Sequence, residues 1–267
     1  MKITFLGVSS ALSSGHNSNI LIDSNDGQTL LFDAGITLKQ SLKDSNRDIS
    51  EIDAVYISHL HSDHCGSIEW IGYYSYFVMK KKIKLYVHES MISDLWSMLR
   101  PAMDKLEGRE MITLDEYFDI TTFTDNSPCV VGSLYFIPCK QTHVETTHGN
   151  VYSYGSSFYH SAFDDKTWKP ISCDGKCIFI SSDTKDLYIP PTSTFAGNKY
   201  DYDMIFSDVD VMNLNGVHPN YNILKKFHPD IKKKMCLYHY HDIGIDMPDA
   251  VADGFKGFVT EGQIFEV

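Results

Sequence analysis

The chain has 267 residues, enough for one large α/β domain or two small ones and for a well-buried core. Hydrophobic residues at 43% and charged residues at 22% are ordinary globular usage, which excludes disordered and fibrous classes. Lys and Arg total 23 against 35 Asp and Glu, and the resulting formal charge of −12 disfavours gripping a nucleic-acid backbone through a broad basic face. A small anionic substrate stays compatible if metal ions supply the local positive charge.

In chain order, Ile3–Gly7, Asn19–Ile22 and Leu30–Asp33 read as strands separated by the turn chemistries SSGHNS and SNDG. A helical stretch near Thr37–Leu42 precedes Ala54–Ile57, an apolar run suited to a buried strand. That strand leads into His-Leu-His-Ser-Asp-His, after which a helical pattern runs from Gly66 to about Met79. Ile83–Val87 returns to strand, and Met91–Leu99 reads as a helix that Pro101 follows. In the second half, Leu134–Pro138, Cys177–Ser181, Met204–Phe206 and Met235–Leu237 are strands, and Lys225–Phe227 closes a helical turn. Val144–Pro170, rich in Tyr, Ser, His and Asp, is expected to be the least regular stretch, with a strand or short hairpin in part of it. No linker marks a boundary, so residues 1–267 are expected to form one domain.

No run approaches the ~20 apolar residues of a membrane span, and the first apolar run is too short for a signal peptide. Cys65, Cys129, Cys139, Cys173, Cys177 and Cys236 show no paired framework and fit reduced thiols of a cytoplasmic protein. Cys173 and Cys177 lack the second pair or nearby His that a structural zinc needs.

The segment from His59 to His64 carries the chemistry. It places three imidazoles and a carboxylate, His59, His61, Asp63 and His64, directly after a buried strand. Residues i and i+2 of an extended segment project to one side, so His59 and His61 suit one cation while Asp63 and His64 turn toward a second. Later strand ends offer His143, Asp183 and His239. Singly, each is an ordinary polar residue, and Asp183 could cap a helix. Together they complete His59, His61 and His143 for one ion and Asp63, His64 and His239 for the other, with Asp183 bridging. Imidazole and carboxylate suit Zn²⁺ and tolerate Mn²⁺ or Fe²⁺. His241 rivals His239 on the same strand end.

HLHSDH, a later His, SSDT and LYH, together with Phe32-Asp-Ala-Gly35, resemble the dinuclear metallo-β-lactamase-fold hydrolases along nearly the whole chain. The resemblance implies an α/β four-layer αβ/βα sandwich, with Asp33 supporting the metal loop. SSDT, FSDVD around Asp208 and GVHPN around His218 resemble the ribonuclease Z-like phosphodiesterase branch, where an acidic–His pair assists the leaving group. Asp208 is favoured over Asp210 on register. Within that branch, FLGVSS, HSDHCGSIEWIGYYSYF, the Tyr-rich stretch after His143 and LYHYH are similar to the anti-Pycsar cyclic-nucleotide phosphodiesterases of phages and bacteria.

That similarity implies hydrolysis of cAMP, cGMP, cCMP or cUMP by two divalent ions, a homodimer, and the host cytoplasm for a phage-encoded member. Asp63 would orient the nucleophile, while His218, held by Asp208, would protonate the leaving oxygen. Tyr73, Tyr74, Tyr76 and the Tyr152–Tyr159 group are candidates to stack on the base. His16, His148 and His160 are loop histidines that could face the pocket. The competing readings are a tRNA 3′-endonuclease, a lactone or thioester hydrolase, and a non-catalytic nucleotide-sequestering protein. Lys80–Lys82 and Lys232–Lys234, the only basic runs, read as solvated faces rather than an RNA exosite.

Overall fold

Short apolar runs punctuated by turn residues build two seven-stranded sheets in the computed structural model. The structure describes residues 1–163, 170–191, 194–195, 198–199, 201–213, 216–241 and 246–267. The first sheet runs Ile264–Glu266, Lys2–Phe5, Ile20–Asp23, Thr29–Phe32, Ala54–Ile57, Ile83–His88 and Phe118–Phe123. The second runs Gly257–Phe258, Met235–Tyr238, Met204–Asp208, Pro170–Ile180, Gly149–Phe163, Leu134–Thr146 and Cys129–Val131. Both mix antiparallel hairpins with parallel strands.

The parallel strands decide where a site can form. Ala54–Ile57 lies parallel to both neighbours in the first sheet, and Met204–Asp208 does so in the second. Such strands are buried on both faces, which explains runs like AVYI and MIFS. Their carboxyl ends, where polar residues begin, open into one crevice.

Aromatic pairs bind sheet to sheet. Phe5 and Phe206 have ring centroids 5.0 Å apart, Phe32 and Phe158 6.0 Å, and Tyr56 and Phe136 5.7 Å. Helices Leu38–Asp44, Ile68–Tyr74 and Ile92–Met103 turn Leu38, Leu42, Ile68, Ile71 and Leu95 into the core at three- and four-residue spacing. This is the αβ/βα layering expected from the motifs.

Two expectations need correction. The stretch after Val144 is mostly regular: Leu134–Thr146 and Gly149–Phe163 form a long antiparallel hairpin, paired from Leu134 opposite His160 to Thr146 opposite Gly149. Its serines looked like turn signals but lie buried in the sheet, where Ser153 donates to the Asp183 carbonyl and Ser157 bonds the Tyr202 hydroxyl at 2.8 Å. Residues 164–169 of that stretch lie outside the described residues. Pro101 does not follow its helix but sits in the last turn of Ile92–Met103. The described cysteines 65, 129, 139, 177 and 236 are buried free thiols, while the Cys173 side chain lies outside the description. No helix among the described residues is long and apolar enough to cross a membrane.

Candidate metal centre and active site

Asp33 ends the strand Thr29–Phe32 in a left-handed conformation, φ +64°, that turns its carboxylate under the histidine loop. Ser58 donates its backbone N–H to Oδ1 and its hydroxyl to Oδ2, both at 2.8 Å, and His64 Nδ1 donates to Oδ2 at 2.8 Å. Gly35 lets the loop close. A Cβ there would lie 2.0 Å from the Asp63 carbonyl oxygen, so no other residue fits without moving the loop.

Beyond the strand ends, the side chains gather into two groups sharing Asp183. His59, His61, His143 and Asp183 form one, and Asp63, His64, His239 and Asp183 the other, each with ligand-type atoms within 4.8 Å of one another. In the first, His61 Nδ1 lies 3.1 Å from His59 Nε2 and 3.2 Å from His143 Nε2. In the second, Asp183 lies 3.2 Å from His64 Nε2 and 3.2 Å from His239 Nε2. His239, rather than His241, turns into the group, helped by φ +57° at its own Cα.

The outer nitrogens show which atoms face the centre. His143 Nδ1 lies 3.1 Å from the Val217 carbonyl oxygen, an acceptor only, so Nδ1 carries the proton and Nε2 a lone pair. The single Ser58 hydroxyl proton goes to Asp33, so Ser58 Oγ accepts from His59 Nδ1 at 3.1 Å. Ser18 Oγ likewise donates to the Ser9 carbonyl and accepts from His239 Nδ1 at 2.9 Å. The lone pairs of His59, His143 and His239 therefore converge on the carboxylates and one another. Two buried acceptors, His239 Nε2 and Asp183 Oδ1, have no hydrogen-bond partner. A buried acceptor without a donor is costly, and two aimed inward suit a cation. The residues fit divalent metal ions.

Protonation follows the same logic. Burial pushes His59, His61 and His143 below the usual imidazole range, His143 to about 4, so they stay neutral as ligands must. Burial also opposes charge on His64, but Asp183, Asp63 and Asp33 outweigh it and hold a second proton there, a positive charge that a metal ion would replace. Burial would raise Asp63, yet His64 and His239 bring it down to about 2.

His218 and Asp208 lie beside Asp183. His218 Nδ1 donates to Asp208 Oδ2 at 2.8 Å, and Thr184 N donates to the same oxygen at 3.0 Å. Burial depresses the His218 imidazolium, but Asp208 and Asp183 outweigh it and lift it to about 9. Asp210 instead accepts the backbone N–H groups of Met212 and Asn213 at 2.9 and 2.6 Å. A cavity of about 360 Å³ opens over the clusters, walled by Leu12, Val144, Val217, His218 and His241. No Lys or Arg lines it among the described residues.

The tyrosines are placed elsewhere. Tyr73 donates its hydroxyl to the Ala102 carbonyl, Tyr76 accepts from Arg109, and Tyr74 packs on Trp70. Tyr154 and Tyr159 are buried, and exposed Tyr152 lies under the Lys140 ammonium. None of these rings lines the cavity. Outward positions 2–4 residues apart look alike in sequence whether they meet solvent, core or ligand. His16 pairs with Asp44 and Glu261, and His148 sits in the exposed hairpin turn. The His160 side chain lies outside the described residues. Ser18, the Val217 carbonyl and Leu12 drew no expectation from sequence, because serine, a backbone oxygen and a lone leucine carry no spacing signal.

Two packed sheets with this ligand-bearing crevice define the metallo-β-lactamase fold. The structure resembles the metallo-beta-lactamase fold protein YhfI from Bacillus subtilis (TM-score 0.68, 18% identity, 99% of this chain and 98% of that one). It also resembles human tRNase Z, short form (TM-score 0.66, 15% identity, 100% of this chain and 99% of that one). A family model described as Anti-Pycsar protein Apyc1 matches residues 1–265, and the chain belongs to that family. The Anti-Pycsar protein Apyc1 of Paenibacillus harenae is 25% identical over 248 residues, 91% of this chain and 90% of that protein. That of Bacillus phage vB_BsuM-Goe3 is 33% identical over 122 residues, 45% of this chain and 47% of the phage protein.

Proposed function

We propose that the chain is a divalent-metal-dependent phosphodiesterase that opens 3′,5′-cyclic nucleotides (cAMP, cGMP, cCMP, cUMP) to 5′-nucleoside monophosphates. On this reading it acts as a homodimer, with Zn²⁺ the first candidate metal, and it counters cyclic-nucleotide antiphage signalling, as its family's name suggests. The observation that carries the reading is the His218–Asp208 pair standing beside a carboxylate, Asp183, that reaches both ligand groups.

When bound, two divalent ions supply a water made nucleophilic at neutral pH and offset the phosphate charge. On this reading His59, His61 and His143 would hold one, Asp63, His64 and His239 the other, and Asp183 would contribute to both. Asp63 stays ionised and orients the attacking water. His218 hands a proton from Nε2 to the departing 3′-oxygen, while Asp208 fixes Nδ1 and keeps the imidazolium form available. A cyclic mononucleotide brings one charge, which suits a cavity lined by no described lysine or arginine, whereas a long polyanion needs a basic track.

The test is incubation of metal-loaded protein with a panel of 3′,5′-cyclic nucleotides and, separately, a pre-tRNA, with chromatography of the products. The expected products are 5′-monophosphates. Intact cyclic nucleotides beside a trimmed pre-tRNA would replace this reading with the endonuclease one.

A further inference from the structure

A nucleobase in this cavity needs an apolar or aromatic face to lie against, and the tyrosines do not provide it. Among the described residues the rings on its wall are all imidazoles: His61, His143, His218, His239 and His241. The first four belong to the ligand groups or to the proton-donating pair. His241 belongs to neither. Its Nδ1 is tied to Ser13 Oγ at 3.1 Å, and Ser13 in turn lies 3.3 Å from the Tyr240 carbonyl oxygen, so the ring is held in place from behind. Leu12, beside Ser13 on the same loop, also lines the cavity and is 69% exposed. An exposed leucine alone means nothing. One that shares a cavity with a fixed ring outside the ligand set offers the two apolar surfaces a flat heterocycle can use.

Resting on the phosphodiesterase reading above, we propose that His241 and Leu12 form the nucleobase-binding wall, with the phosphate at the ligand groups and the base against these two side chains. The loop carrying Leu12 is joined to the His241 strand end by backbone bonds, Ser10 N to the Tyr240 carbonyl and Tyr240 N to the Val8 carbonyl, both near 3.3 Å. The wall is thus built from the strand ends of both sheets.

The test compares KM and kcat for cAMP and for a ribose 3′,5′-cyclic phosphate lacking the base, in wild type, His241→Ala, His241→Phe and Leu12→Ala. Removing one base stack raises KM for cAMP about 5- to 150-fold in His241→Ala. His241→Phe keeps the ring and holds KM within about threefold of wild type, and Leu12→Ala raises it about fivefold. The base-less substrate is indifferent to all three changes, and every variant retains wild-type metal content. An unchanged cAMP KM in either alanine variant, an equal rise with the base-less probe, or metal loss from His241→Ala overturns the proposal. Wild-type protein that leaves all cyclic nucleotides intact overturns the phosphodiesterase reading and the wall with it, an outcome the wild-type control separates from the others.

Discussion

His218, like His64, has its Nδ1 against a carboxylate, whereas Nδ1 of His59, His143 and His239 faces a hydroxyl or a carbonyl. The carboxylate favours imidazolium, whereas burial keeps His59 and His143 neutral. His218→Ala is expected to keep wild-type metal content while losing about 10²–10⁴ of turnover, the usual share of a general acid. Wild-type turnover in this variant would remove His218 from the chemistry. The same shifts set a pH profile for metal-free protein. Between about pH 6.5 and 4 the unfolded chain protonates histidines that the folded chain keeps neutral, so stability falls as pH is lowered. The raised His218 works oppositely: its contribution is complete below about pH 6.5 and is lost as pH rises through about 9. Melting temperatures of chelated protein should therefore drop on acidification through the first window, and His218→Ala should shrink the alkaline loss. A flat acid limb would contradict the neutral-imidazole assignment. The ligand-type residues were legible in sequence because they are chemically rare and end apolar runs. The hydroxyls and carbonyl that fix their tautomers were not, because Ser18 and Val217 reach His239 and His143 only through the fold.

At the scale of elements, the crevice exists because parallel strands stop together. Asp33, Ser182 and His239 follow such strands at φ +64°, +54° and +57°, each a conformation costing a non-glycine residue about 1–3 kcal/mol. The surrounding sheet over-determines them, and each turns the chain toward the centre. Gly35 does similar service without strain. Gly35→Ala would force its new methyl against the Asp63 carbonyl and displace Asp63 and His64 together. It is expected to weaken metal binding about 10- to 100-fold or more, the scale of a lost supporting contact, as read by chelator competition. Unaltered affinity would mean the loop relaxes freely. The strand ends at Ile57, Ile180 and Tyr238 were readable from apolar runs meeting polar residues. The long hairpin was not, since its alternation is written in serine and tyrosine, which serve turns and half-buried strands equally.

For the whole molecule, the net charge of −12 and a cavity lined, among the described residues, by no lysine or arginine belong together: positive charge there would come from metal ions. The two sheets meet through Phe5, Phe32, Tyr56 and their partners, so the ligand groups, drawn from both sheets, depend on that packing. The layered fold followed from the motifs, whereas the cavity walls followed only from three-dimensional closure. The most direct test is elemental analysis of protein purified without chelators, beside Asp183→Asn. Two divalent ions per chain, with both weakened by the single substitution, is the expected result. A metal-free wild type, or one ion untouched by the loss of Asp183, would contradict a paired centre built around that carboxylate.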